Sequence, residues 1–202
     1  ADYFDDNILI NTNIVKVCKE YDVKRFIGIL STCIYPSVVD NYPMTEEDLF
    51  IGPPPPSNFS YGYAKRCLAV QIDAYNKQFG TRYNYLIPCN LYGDYDNLHN
   101  ENKMHFITAL LNKIRNSQDN SLYLLGTGKP LRQFMYAGDL AKIIKLVIEN
   151  NITESFNVAP DFNYSIDEMA KIVLDVTNKD YDIIYDRPEL DGQYRKDVSN
   201  KK

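Results

Sequence analysis

Residues 26–36 read Phe26-Ile27-Gly28-Ile29-Leu30-Ser31-Thr32-Cys33-Ile34-Tyr35-Pro36. The first five form a short unbroken apolar run, the sequence pattern of a strand buried on both faces. The run stops abruptly at two hydroxyls and a thiol. In open parallel sheets, ligands bind outside the carboxyl ends of the strands. Ser31, Thr32 and Cys33 are therefore either packing or the floor of a site, and the strand alone leaves both readings open.

Working outward, helical and strand patterns alternate. Ile10, Ile14, Val17 and Tyr21 keep helical spacing ahead of the strand. A loop rich in proline (Pro43, then Pro53 to Pro56) follows it. In YGYAKRCLAVQIDAYNKQFG, Leu68, Ile72, Tyr75 and Phe79 again recur at helical spacing, and Gly80 stands where a C-cap glycine belongs. The patterns then predict a strand over Tyr83 to Cys89, a helix from about Asn102 to Asn116 and a strand over Ser121 to Leu125. A helix capped by Asp139, a strand over Ser155 to Ala159 and a helix Met169 to Val176 come next, the last behind a Ser165/Glu168 capping box. A last strand runs from Tyr181 to Tyr185. Such alternation predicts a mostly parallel sheet covered by helices, an α/β fold.

The 202 residues carry a formal net charge of -5, which argues against nucleic-acid binding by charge alone. Four cysteines (Cys18, Cys33, Cys67, Cys89) show no C-x-x-C spacing and only two histidines are present, so no metal site is expected. Free thiols in a reducing compartment are the expectation, hence a cytoplasmic protein. No apolar run approaches the roughly 20 residues of a membrane helix, and the acidic N-terminus is no signal peptide.

Tyr61 and Lys65 lie four residues apart, on one face of their helix. A phenol with its ordinary pKa of about 10 exchanges protons poorly at neutral pH, and a nearby cation lowers it. Tyr61 could then serve as acid or base, with Ser31 sharing a substrate oxygen. Equally, Tyr61 could simply pack and Lys65 be a surface residue.

Taken together, STCIYP, PPPPSNFSYGYAKR, LIPCNLYGDYDN and GTGKPLRQFMYAGDLA resemble the GDP-L-fucose synthases, a family of extended short-chain dehydrogenase/reductases. The resemblance runs from about residue 5 to the end, where DGQYRKDVSNKK is similar to a late substrate-binding stretch. It implies a Rossmann-like, mostly parallel sheet with helices on both faces and a smaller C-terminal α/β region. Residues 1–100, with 130–150 returning to them, would belong to the NADP-binding domain and 101–202 mainly to the substrate region. Ser31, Tyr61 and Lys65 match the reductase trio, and Cys33 and His105 an acid/base pair. Ile29, Leu30, Ser31, Thr32, Tyr61, Lys65, Pro88, Cys89, Asn90, Leu91 and His105 would line the nicotinamide side of NADP(H). Asn90, Lys113, Leu125, Arg132, Asp191 and Lys196 would meet the substrate, GDP-4-keto-6-deoxy-D-mannose. Leu125 departs from the tryptophan of many relatives, and Asp94 stands where proline usually follows Tyr-Gly. A homodimer is implied, with the Tyr61 helix at its interface, and no nucleic acid or membrane partner.

In that chemistry the ketone acidifies the C–H bonds at C3 and C5, and inversion needs a base on one face and an acid on the other. A thiol (reference pKa about 8.5) and an imidazole (about 6.5) suit such a pair. Alternatives stay open from the residues. Cys33 could be a small buried hydrophobe, His99 rivals His105, and Arg132 could be an ordinary surface arginine. Cys18, Cys67 and the Gly126/Gly128 turn read as structural. The family's glycine-rich loop, G-x-x-G-x-x-G, has no counterpart among the nine glycines, the first of which is Gly28. The chain thus reads as the family without its first strands and phosphate loop. A 4-epimerase or dehydratase acting on another nucleotide sugar, or an inactive fragment that only binds, remain the alternatives.

Overall fold

The structure, a computed structural model, describes residues 1–96 and 104–202. Two compact units share the chain. The first comprises Ala1–Cys89, Leu140–Ala159 and Val198–Lys202, and the second Asn90–Asp139 and Pro160–Asp197.

The first unit is built on three parallel strands in the order β1 (Ile27–Ile29), β2 (Asn84–Pro88), β7 (Phe156–Val158). Ile29 pairs with Leu86, and Pro88 with Val158, so the carboxyl ends of neighbouring strands open on the same edge. Helix α1 (Asp2–Glu20) packs against α2 (Phe59–Phe79), and α2 ends at Gly80 in the left-handed region, φ 66°. There glycine carries no steric cost. Gly28 earns its place in β1 by proximity: a Cβ there would lie 3.0 Å from Ile72 Cδ1 and 3.2 Å from Leu68 Cδ2. The bare backbone lets α2 lie directly on the strand.

The apolar stripe of α1 behaves differently from that of α2. Leu68 and Ile72 are buried, whereas Ile10, Ile14, Val17 and Tyr21 are exposed, and α1 buries Val15 instead. Periodicity named the helix and one of its faces, but not whether that face is covered in this unit.

The second unit holds short pairs: β3 (Asn90–Tyr92) with β6 (Phe134–Tyr136) and β4 (Ser121–Leu125) with β9 (Asp182–Asp186), both parallel, and β5 (Leu131–Arg132) antiparallel to β8 (Tyr164–Ser165). Helices α3 (Phe106–Asn116) and α5 (Ile166–Val176) bury Leu110, Ile114, Ala170 and Val173 in one core with Leu122 and Leu124 of β4. The Ser165/Glu168 capping box forms as expected, with both reciprocal hydrogen bonds present. Several boundaries differ from the sequence reading, among them the start of α5, which lies at Ile166 directly behind its cap rather than at Met169. Helix α4 spans Ala137–Glu149, which puts Asp139 in its first turn rather than at the cap. Its carboxylate still suits the positive end of the helix dipole. Helix α3 starts at Phe106, because His105 is extended (φ -72°, ψ 162°); Asn102 and His99 lie outside the described residues.

Candidate functional site

The strand-end cluster of the first unit is ordered by its own hydroxyl. Ser31 caps the single 3-10 turn Thr32–Ile34, its Oγ accepting the Cys33 amide at 3.3 Å. Helix α2 brings Tyr61 and Lys65 to this cap. Tyr61 comes near enough to Ser31 for the serine hydroxyl to influence its proton, and Lys65 Nζ donates to the Ile29 carbonyl at 3.2 Å. The two α2 side chains share a face, with the ammonium 5.8 Å from the Tyr61 ring centroid. Thr32 is buried and Cys33 half-buried beside them.

The electrostatics run against the expectation of a lowered phenol. Burial pushes the Tyr61 hydroxyl up and negative charge at Cys33 adds to this, while the Ser31 hydroxyl pulls it back only in part. Burial likewise lowers the Lys65 ammonium. A cation alone would lower the phenol, but burial of both groups outweighs it here. Tyr61 is consequently held as a protonated donor. Cys89, just past β2, is buried and its thiol is pushed up to about 12, so it stays protonated and inert.

Two residues absent from the sequence reading shape this end of the sheet. A Cβ on Gly62 would stand 2.9 Å from the Cys33 carbonyl oxygen and 2.8 Å from Pro54 Cβ, so only glycine lets α2 approach the cap so closely. Arg66, 5% exposed, donates from Nε to Ile34 O at 2.5 Å and from Nη1 to Gly52 O at 2.7 Å, tying α2 to the chain on either side of the proline loop. The glycine inside YGYAK was a readable signal. The arginine carried none, because its burial follows from the loop's tertiary path.

In the second unit, Asn90 donates to Gln133 O at 2.7 Å and Leu91 is half-buried in β3. His105 sits at the N-cap of α3, and its Nδ1 lies 2.8 Å from Asp96 Oδ1. Lys113 Nζ donates to Tyr123 O at 2.7 Å beside a cavity of about 330 Å³ that Lys113 and Tyr123 both line. Leu125, on the same face of β4 as Tyr123, is exposed. Arg132 donates to its neighbour Leu131 O at 2.7 Å, and its charge helps hold the Asp191 carboxyl down.

Asp191 itself is engaged by the Gly-Thr-Gly turn. Thr127 N–H and Oγ1 donate to its two oxygens at 2.8 and 2.5 Å, and these bonds lower its pKa first of all. Gly126 (φ 88°) and Gly128 (φ 75°) are left-handed, as the structural reading of that turn requires, and a Cβ on Gly126 would collide with Asp191 Oδ1. Lys196 is 9% exposed next to Asp197, which is 2% exposed. No described group of three His, Cys, Asp or Glu is arranged to hold a metal ion, and no helix among the described residues is long and apolar enough to cross a membrane.

A parallel strand ending in a serine, met by a Tyr-x-x-x-Lys helix at the carboxyl edge, is the arrangement of nucleotide-dependent epimerases and reductases. The family model described as "NAD dependent epimerase/dehydratase family" matches residues 1–159, and the chain belongs to that family. It is similar to the GDP-L-fucose synthase of Dictyostelium discoideum (39% identical over 100% of this chain and 64% of that protein) and to the probable GDP-L-fucose synthase of Drosophila melanogaster (34%, 100% and 66%). Among solved structures it resembles a GDP-L-fucose synthetase from Naegleria fowleri bound to NADP, 34% identical, with a TM-score of 0.89 over 98% of this chain and 64% of that one. The chain thus spans slightly less than two thirds of the length of these relatives.

Proposed function

We propose that this chain carries catalytic residues of a GDP-L-fucose synthase, which epimerises GDP-4-keto-6-deoxy-D-mannose at C3 and C5 and reduces it at C4. The observation that carries the reading is the convergence of Ser31, Cys33, Tyr61 and Lys65 at the carboxyl end of β1. A simple reductase has use for the serine, tyrosine and lysine, but not for a half-buried thiol whose charge reaches the phenol. The similarity to named GDP-L-fucose synthases supports the same substrate class.

The cofactor is NADP(H), and the residues present fit its nicotinamide half. The adjacent carboxyl ends of β1 and β2 place Ile29–Thr32 and Pro88–Cys89 on one edge, where Lys65 Nζ already sits against the Ile29 carbonyl. Lys65 would hold the nicotinamide ribose there, with Tyr61 facing the reacting end. Asn90, Leu91 and His105 complete the proposed cofactor-facing set. When bound, the reduced nicotinamide supplies hydride for C4.

The chain's own groups do the proton work. Of Cys33 and His105, one removes the proton from C3 or C5 and the other returns a proton to the opposite face. Ser31 and the protonated Tyr61 donate hydrogen bonds to the enolate oxygen as negative charge develops on it. Tyr61 then gives its proton to the oxygen on C4 as the ketone becomes an alcohol. Lys113, Leu125, Arg132, Asp191 and Lys196 are assigned to the GDP-sugar. Arg132 is the suited partner of a diphosphate because its charge is permanent and planar. A cytoplasmic homodimer using α1 and α2 belongs to the same reading, supported by the exposed Ile10, Ile14 and Val17.

The test is NADPH oxidation with GDP-4-keto-6-deoxymannose in deuterium oxide, comparing the protein with Cys33→Ser. Oxidation with deuterium uptake at C3 and C5, and loss of uptake in the variant, is the expected result. Oxidation without uptake, unaffected by the substitution, would replace this reading with a plain reductase.

A further inference from the structure

We propose that Asp96 is the positioning residue of His105, fixing its ring orientation and its tautomer so that Nε2 is the nitrogen that exchanges protons. The proposal rests on the function above for the identity of the reaction, but its geometry stands alone. One carboxylate grips the histidine twice: Oδ1 lies 2.8 Å from His105 Nδ1, and Oδ2 accepts the His105 backbone N–H at 3.3 Å. The exposures are opposite, with the Asp96 side chain 10% accessible and the His105 side chain 71%. The holder is buried and the held ring is presented to its surroundings.

The chemistry follows from donor and acceptor inventories. A carboxylate only accepts, so a neutral imidazole bonded to it must carry its hydrogen on Nδ1 and leave the Nε2 lone pair free. Among the described residues, nothing bonds to Nε2. Free histidine prefers the other tautomer, with hydrogen on Nε2, which could not act as a base at that nitrogen. The second bond, to the backbone N–H, anchors the carboxylate to the residue whose ring it holds. It also gives a partner to one of the amides at the N-terminus of α3 that the helix cannot satisfy. Asp96 thus converts a capping position, where the ring would otherwise turn freely, into a fixed proton-transfer site. Sequence gives the pair only as an acid nine positions before a histidine, which no motif marks.

The experiment is nitrogen-15 NMR of the labelled protein at a pH where the ring is neutral. The chain holds two histidines, so His99→Gln leaves the His105 ring as a single spin system. In the parent, the Nδ1–H form of His105 should dominate. Asp96→Asn should cut that fraction several-fold, Asp96→Ala should return the ring to the Nε2–H form, and Asp96→Glu should restore part of the parent signal. Deuterium uptake into substrate should fall in Asp96→Asn by on the order of 10- to 100-fold, mainly in kcat, short of the full 10²–10⁴ worth of a general acid or base. An Nε2–H ring in the parent, or a tautomer unchanged in the isosteric Asp96→Asn, overturns the proposal whatever the activity shows. A tautomer shift in a protein whose parent exchanges no substrate proton leaves the Asp96–His105 relationship standing and overturns the fucose-synthase reading instead.

Discussion

The backbone of Gly62 passes so close to the Cys33 carbonyl that a methyl group there would stand 2.9 Å from that oxygen. With Pro54 Cβ at 2.8 Å on the other side, neither neighbour can yield cheaply, since one is backbone and the other a ring. Gly62→Ala is therefore expected to cost about 1–3 kcal/mol of stability by overpacking, despite alanine's better helix propensity. It should also shift the Ser31–Cys33 turn and reduce C3/C5 exchange more than it reduces cofactor binding. Urea unfolding with deuterium-uptake kinetics checks both; a stabilised, fully active variant would show that the approach is looser than described.

Tyr61 and Lys65 should separate by function. Tyr61→Phe removes the proton donor, so hydride transfer to C4 should fall on the order of 10²–10⁴-fold with NADPH affinity little changed. Lys65→Met leaves the half-buried Ile29 carbonyl without its donor and should weaken NADPH binding as well as turnover. Fluorescence titration of NADPH against both variants distinguishes the roles.

The pH dependence of the reduction follows from the directions of the Tyr61 contributions. Burial and negative charge at Cys33 both raise the phenol above its ordinary value, so Tyr61 stays protonated through neutral and mildly alkaline pH. Cys33→Ser removes the charge contribution and leaves the burial. The alkaline fall of single-turnover hydride transfer should accordingly move to lower pH in Cys33→Ser. Movement to higher pH would contradict the assigned interaction.

Thr127 and Asp191 form a second separable pair. Thr127→Val deletes the 2.5 Å side-chain bond while keeping the 2.8 Å backbone bond, whereas Gly126→Ala pushes the carboxylate out of the turn altogether. If Asp191 contacts substrate, KM should rise modestly in the first variant and about tenfold or more in the second, with kcat less affected. Initial-rate kinetics read this directly.

Arg195 and Asp197 supply an acid-stability marker. Burial pushes the Asp197 carboxyl up, but hydrogen bonds from Arg195, from Asn163 and from the backbone outweigh it and leave the group below the usual carboxylate range. A depressed folded-state value contributes stability above the unfolded pKa of about 3.9, lost as pH falls through the folded value. Arg195→Gln should cost about 1–3 kcal/mol at pH 7, since it removes bonds of 2.6 and 2.9 Å to a buried charge. The gap between variant and parent should close as pH drops below about 4. A gap constant from pH 7 to 3 would assign the loss to packing.

The sequence by itself determined the α/β alternation, the Gly80 cap, the Ser165/Glu168 box, the strand end at Ser31 and the shared helix face of Tyr61 and Lys65. Each is a local pattern, written in spacing, in capping chemistry or in the end of an apolar run. Tertiary structure decided the rest. Whether the α1 stripe is covered, which way burial moves the Tyr61 proton, and why position 62 must lack a Cβ all depend on what other segments lie alongside. The small strands β3, β5, β6 and β8 were illegible, because two or three residues carry too little periodicity and gain their pairing from distant partners. Asp96 escaped for the same reason. A carboxylate takes its role from the ring it meets, and that meeting is made in three dimensions, not by spacing.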